Sequence, residues 1–352
     1  MNVGDPDTSG NPIGTTVGGD RRSHRLVNRR TPSVCHESGS RRGASAGSAR
    51  TLTDVSTAPR SILDDLVLAP VAGIDGRFSL SFDPGWKVLY VFGGVTFAAL
   101  VQAVVDHLGR EDLTPISAQA TYIEPVVDGP AAVHVDIIRS GRRGAQARAT
   151  LWNTADPTDE GSPAITMDVM LGRPDAEVGG FLNTAIPADA GRPADGLPRD
   201  AMADRFVDVP FHHQSDFRMI GSLEDLAIPE PRSVSWFRLF ASPIDESGAW
   251  RPAALALPGD MMGPVVSRGM NGERFFVVTL QLSIQWFAPA RSEWICQHAV
   301  GLRAGSGFAT GTTELFDEAG TLVAFATQTA LMRPFARVQA DVIGAGMRET
   351  QG

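Results

Sequence analysis

The sequence predicts an α+β fold built twice in one chain, each half an antiparallel sheet wrapped around a central helix. Three observations carry that expectation. One stretch is apolar on most sides, as a buried helix must be. A series of segments that alternate apolar and polar residues follows it. The same order of features then returns in the second half of the chain, at matched spacing.

The first sixty residues stand outside this pattern. They are rich in Gly, Ser, Thr and Arg, with pairs at Arg21-Arg22, Arg29-Arg30 and Arg41-Arg42, and they show no apolar periodicity. Such a segment cannot bury enough surface to offset the entropy of ordering it. Residues 1–60 are therefore expected to form a disordered extension. A transit peptide or a basic arm would share the Arg and Ser content, but Asp5, Asp7, Asp20 and Glu37 are interspersed and no amphipathic helix shows.

The first unit is expected over residues 61–174. Phe78 to Phe82 reads as a strand, Pro84-Gly85 as a turn, and Val95 to Leu108 as the central helix. Its single polar stripe, Gln102, Asp106 and Arg110, has the four-residue spacing of neighbours on one helix face. A helix this apolar must be covered by protein. Four strands are expected next: Ile116 to Glu124, the alternation through Val133, Val135 and Ile137, the alternation through Ala145, Ala147, Ala149 and Leu151, and Pro163 to Leu171. A Pro-, Ala-, Gly- and Asp-rich stretch, 175–205, reads as a linker. The second unit, 206–335, repeats the plan. Val234 to Phe240 is a strand, a helical stretch begins near Ala249 and runs from about Ala253 to Met262, and strands fill Phe275 to Met332. Residues 336–352 are a tail.

Spacing tests the repeat. Pro125 and Gly141 lie as far apart as Pro289 and Gly305, and Arg173-Pro174 and Arg333-Pro334 close the two halves alike. Laid over one another without a gap, Ser117, Gln119 and Thr121 fall on Gln281, Ser283 and Gln285. These are alternate residues, so each set shares one strand face, and Thr279 extends the second set. A duplicated hotdog unit, a sheet curled around one helix, accounts for both copies.

Composition narrows the function. The 352 residues suffice for two cores. The net charge of -9 speaks against a nucleic-acid partner, and no apolar run is long enough for a membrane span. Two cysteines, Cys35 and Cys296, cannot build a secreted disulfide framework, so a reducing cytoplasm is expected. Between Ser61 and Phe335 there is no Gly-x-Ser-x-Gly elbow, HExxH or CxxC. His212-His213 lacks a second ligand pair, so no metal and no cofactor is expected. His107, His134 and His298 read as structural.

The chain resembles the acyl-CoA thioesterase II family, which sets two hotdog units in tandem. In the first half the resemblance rests on Phe92-Gly93-Gly94, Pro125 and Ser140-Gly141-Arg142-Arg143. In the second it rests on Thr279-Leu280-Gln281-Leu282-Ser283, Pro289, and the closing segment from Asp317 through Gly320, Leu322-Val323-Ala324 and Gln328 to Met332-Arg333. The resemblance implies hydrolysis of an acyl-CoA substrate by a water held by an Asp, a Thr or Ser, and a Gln. These match Asp260, Thr279 and Gln328. It departs at Gln281-Leu282, where the family often has Asp-His, and at Pro258-Gly259, which interrupts the helix before Asp260.

The chemistry fits those residue types. An Asp within reach can deprotonate water, a hydroxyl and an amide can orient it, and the N–H groups of a helix preceded by Gly93-Gly94 can meet an oxyanion. Arg142 and Arg143 are candidates for the CoA phosphates. Each residue also has a structural reading: Gln328 as a buried amide bonded to backbone, Thr279 as a strand threonine, Asp260 as a turn residue, Gly93-Gly94 as a tight turn. A non-catalytic acyl-thioester binding or scaffold protein on the same fold is the alternative. The two part on whether Asp260 points into the same cleft as Thr279 and Gln328. A homo-oligomer is left open.

Overall fold

The computed structural model of the chain describes residues 59–335, apart from 160, 176, 204–206, 272 and 274. The expected tail, and the extension up to residue 58, lie outside the described residues. Arg60, one residue before the expected boundary at Ser61, is bonded to the body. Its backbone N–H donates to Gln214 Oε1 at 2.8 Å and its guanidinium donates to Asp65 at 2.6 and 2.9 Å, with Asp83 3.3 Å away. These partners lie far along the chain or across a turn, where no local pattern announces them.

The elements of the first half are α1 (Ile62–Asp65), β1 (Ala69–Pro70), β2 (Arg77–Phe82), α2 (Gly93–Leu108), β3 (Thr114–Tyr122), β4 (Gly129–Ser140), β5 (Gly144–Trp152) and β6 (Ile165–Gly172). The second half holds β7 (Leu197–Pro198), β8 (Ser215–Met219), β9 (Arg232–Leu239), α3 (Ala256–Gly259), α4 (Gly263–Gly269), β10 (Phe275–Trp286), β11 (Ile295–Gly305), β12 (Phe308–Asp317) and β13 (Leu322–Pro334). Among the described residues the strands form one antiparallel sheet in the order β1-β2-β4-β5-β6-β3-β10-β13-β12-β11-β9-β8-β7. The order β2-β4-β5-β6-β3 is therefore matched by β9-β11-β12-β13-β10, the same topology written twice. The fold is a double hotdog.

Register makes the duplication explicit. Where β3 meets β10, Gln119 lies opposite Ser283, and these are the same position of the two repeats. A pseudo-two-fold axis passes between them. The polar face foreseen on both strands is the outer, solvent side: Gln119, Thr121 and Gln281 are exposed while Ala118, Ala120, Leu282 and Ile284 are buried. Irregularities repeat too. Ladder breaks fall between Pro115 and Ser117 and between Thr279 and Gln281, and again between Ile137 and Arg139 and between Gly301 and Arg303. In both pairs the second copy follows the first by 164 residues (Pro115 to Thr279, Ile137 to Gly301).

The central helices differ. α2 is regular, buried from Gly94 to Val104, and ends at Gly109 in the left-handed conformation (φ 59°). Its Gln102 donates to Asp106 at 2.6 Å, as the four-residue stripe requires. Its mate starts as a 3-10 turn, Pro252–Leu255, continues as α3, and stops at Asp260. Pro258 has no N–H to give to the Ala254 carbonyl, so the 3-10 turn and α3 do not join into one regular helix. The second helix, expected to reach Met262, ends at Gly259, and α4 is a separate element. The backbones of α2 and α3 touch: a Cβ on Gly94 would stand 2.6 Å from the Ala256 carbonyl oxygen. Only glycine allows that approach.

The stretch expected as a linker is held in part to the second half. Ala190 is buried, its carbonyl accepts from Trp236 Nε1 at 2.9 Å, and Leu197-Pro198 pairs with β8. Its composition lacks a periodic apolar pattern because it docks through isolated residues.

Candidate active site

The break that ends α3 positions Asp260. Its backbone N–H still donates to the Ala256 carbonyl at 3.0 Å, and as C-cap it turns its side chain away from the helix axis toward the start of α2. A buried pair of side chains holds this end: Gln297 donates to the Pro258 carbonyl at 2.7 Å and accepts from Ser235 at 3.1 Å.

Thr279 arrives by the bulge in β10. It lies opposite Ala330, Gln281 lies opposite Thr329, and Leu280 is the extra residue. One inserted residue reverses the side-chain alternation. Thr279 is therefore on the inner face with Leu282 and Ile284, not on the outer polar face with Gln281 and Ser283. That corrects the sequence expectation, which counted alternate residues through the bulge. Gln328 lies opposite Leu282 on the inner face of β13, among Ala324, Ala326 and Ala330, and is 4% exposed.

The three side chains meet. Thr279 Oγ1 donates to Asp260 Oδ1 at 2.8 Å. Gln328 Nε2 donates to Asp260 Oδ1 at 2.6 Å and to Thr279 Oγ1 at 2.7 Å. These bonds fix the amide's orientation, since its oxygen could not face a carboxylate. Both its donors are then occupied, and its buried Oε1 has no hydrogen-bond partner among the described residues.

The remaining side of Asp260 faces the first turn of α2. Phe92, the N-cap there, offers no side-chain acceptor, so the first N–H groups of the helix are open to a partner from elsewhere. The Gly94 N–H turns to the Asp260 carboxylate, and a Cβ on Gly93 would collide with Oδ2. Burial pushes the Asp260 carboxyl up to about 7, against the opposing pull of bonds from Thr279, the Gly94 N–H and Gln328. A carboxyl so placed changes charge near neutrality, the range that suits a base.

Two cavities converge on Asp260. One, about 200 Å³, is apolar and runs between Val209, Phe211, Met219, Leu226 and Met261. The other, about 280 Å³, is bounded by Gly93, Tyr122, Glu124, Phe276 and Arg333. Gly93 thus borders the site. Arg142 and Arg143 do not. They occupy the β4–β5 hairpin, where Arg110 donates to the Gly141 carbonyl at 3.3 Å beyond the C-terminal end of α2, and Arg143 pairs with Asp175. The site is at the opposite end of this 16-residue helix, roughly 24 Å away. His212, on a 3-10 turn at Pro210–His213, lines the apolar cavity and is pushed down to about 3 by burial. Cys296 is buried in β11, its thiol pushed up to about 12 by burial.

The N-terminal domain of the acyl-CoA thioesterases matches residues 82–172, and their C-terminal domain matches residues 189–332. The chain belongs to the acyl-CoA thioesterase family. Solved structures agree on the fold. An acyl-CoA thioesterase II from Mycobacterium marinum is 19% identical, with a TM-score of 0.59 over 78% of this chain and 98% of its own. A tesB protein from Mycobacterium avium subsp. paratuberculosis is 15% identical, with a TM-score of 0.60 over 78% and 98%. A hot dog fold protein of unknown function from Alicyclobacillus acidocaldarius is 19% identical, with a TM-score of 0.63 over 77% and 97%. Comparison with curated protein sequences finds no match. No helix among the described residues is long and apolar enough to cross a membrane.

Proposed function

We propose that the chain hydrolyses fatty acyl-CoA thioesters to free acid and CoA, with Asp260 as general base and Thr279 and Gln328 as its partners. One observation carries the reading: three polar side chains from separate elements are bonded together where two cavities meet, around a carboxyl held near neutrality. A water between Asp260 and Gln328 Oε1 would give its proton to Asp260 as its oxygen attacks the thioester carbonyl. With the Gly94 N–H turned to Asp260, the Gly93 N–H is the donor of the first turn of α2 left for the developing oxyanion. As the C–S bond breaks, the thiolate of CoA takes the proton back from Asp260.

The apolar cavity suits the acyl chain, and the other, with Arg333 along it, suits the pantetheine arm. A volume near 200 Å³ is below the roughly 300–1,000 Å³ of sites for drug-sized ligands, so medium acyl chains should be turned over faster than long ones. Release of the CoA thiol, followed over a series of chain lengths, tests this. Thr279→Ala and Gln328→Ala should lower kcat about tenfold or more with little change in KM, since they orient water rather than bind substrate. Binding of acyl-CoA without any hydrolysis by the wild type would replace this reading with that of a scaffold.

A further inference from the structure

Tyr122 is not explained by the reaction so far. It ends β3, it lines the cavity of about 280 Å³, and its hydroxyl donates to the Gly93 carbonyl at 2.8 Å. The same carbonyl accepts from Thr96 Oγ1 at 2.9 Å. Gly93 C=O and Gly94 N–H belong to one peptide group, which is planar and trans, so they point in opposite directions. Clamping the carbonyl with two hydroxyls aims the N–H, and that N–H faces Asp260. Donors on the oxygen also polarise the amide and strengthen the N–H as a donor.

The repeat supplies an internal comparison. The residue equivalent to Tyr122 is Trp286, whose Nε1 donates at 2.8 Å to the carbonyl of Pro252, the first residue of the other central helix. Each half ties its strand to the first turn of its helix in this way. At the mate of the active site, however, Pro115 stands opposite the role of Thr279, and Val169, which faces Ala118 as Gln328 faces Leu282, replaces the amide. The tie at Trp286 serves architecture alone. The tie at Tyr122 aims a peptide at a reacting group.

We propose that Tyr122, together with Thr96, is a positioning residue that locks the Gly93–Gly94 peptide so that its N–H faces Asp260. This rests on the thioesterase reading above. Besides Tyr122, the groups around Asp260 are Thr279 and Gln328 from the sheet, His212 and Arg268 along the apolar cavity, and Glu124 and Arg333 along the other. A firmly held N–H favours the charged carboxylate. Loosening it should move the titration of Asp260 upward.

The test compares Tyr122→Phe with Trp286→Phe. Tyr122→Phe should cut kcat roughly tenfold with little change in KM, and should shift the acid limb of the kcat/KM profile to higher pH. Carboxyl-carbon NMR of the aspartates should show the same upward shift of Asp260, whether or not a substrate is present. Thr96→Ser should preserve both readouts and Thr96→Val should mimic Tyr122→Phe. Trp286→Phe should lower the melting temperature and leave the acid limb in place. If folded Tyr122→Phe keeps the wild-type acid limb and Asp260 titration, the positioning role is wrong. A wild type inert toward acyl-CoA overturns the thioesterase reading instead, and an unmoved NMR titration still separates the two failures.

Discussion

At the scale of single residues, Asp260 is the group on which structure and chemistry most conflict. It is 5% exposed, and burial holds its carboxyl at about 7, above an ordinary 3.8. Between about pH 4 and 7 the folded chain keeps a proton there that the unfolded chain has released. Its contribution to stability is thus fully present below about pH 4 and is lost as pH rises through 7. Asp260→Asn removes the ionisation and can still accept from Thr279 and Gln328. It should be more stable than the wild type at pH 8 by about 1–3 kcal/mol, and nearly equal to it at pH 4, by urea unfolding. A stability difference that does not change with pH would contradict this account of the carboxyl. That Asp260, Thr279 and Gln328 stand together was legible in the sequence through the family resemblance. The surroundings of the trio were not: Tyr122, Thr96 and Gln297 read as ordinary strand and helix residues, because their bonds join segments distant in sequence.

Elements bring the trio together through departures from regularity. The alternation of β10 alone places Thr279 on the wrong face, and only the extra residue at Leu280 turns it inward. Pattern reading counts alternate positions and cannot see an insertion in the ladder. Likewise Pro258-Gly259, a departure from the family pattern, forms the last residues of the short α3, and Asp260 caps that helix. Gln297 bonds the Pro258 carbonyl at 2.7 Å to hold this end. Gln297→Ala leaves buried groups unbonded and should cost about 1–3 kcal/mol in denaturant unfolding. It should also lower kcat more than it raises KM, because the base is displaced while the cavities remain. An unchanged kcat in a destabilised variant would show that the pair with Ser235 supports only the fold.

Over the whole molecule, the pseudo-two-fold axis through Gln119 and Ser283 was legible, since repeat spacing and strand faces are local quantities; the inequality of the two ends was not. The duplicated fold offers two equivalent clefts, and the sequence has furnished one. Pro115 and Val169 cannot hold a water as Thr279 and Gln328 can. A non-hydrolysable thioether analogue of acyl-CoA should therefore bind at one equivalent per chain by calorimetry, and two equal sites would contradict the asymmetry. Arg60 is bonded into the body, so a chain beginning at Pro59 should keep its melting temperature, while Arg60→Ala in that chain should lower it by a few degrees through the loss of its partly buried bonds to Asp65. The claim on which all of this depends is that Asp260 takes the proton from water. Its most direct test is CoA release from a medium-chain acyl-CoA by purified Asp260→Asn at pH 8, with the fold verified by its melting transition. The account predicts a loss of turnover on the order of a hundredfold or more at a KM near that of the wild type. A folded Asp260→Asn protein that turns over acyl-CoA at the wild-type rate would contradict it.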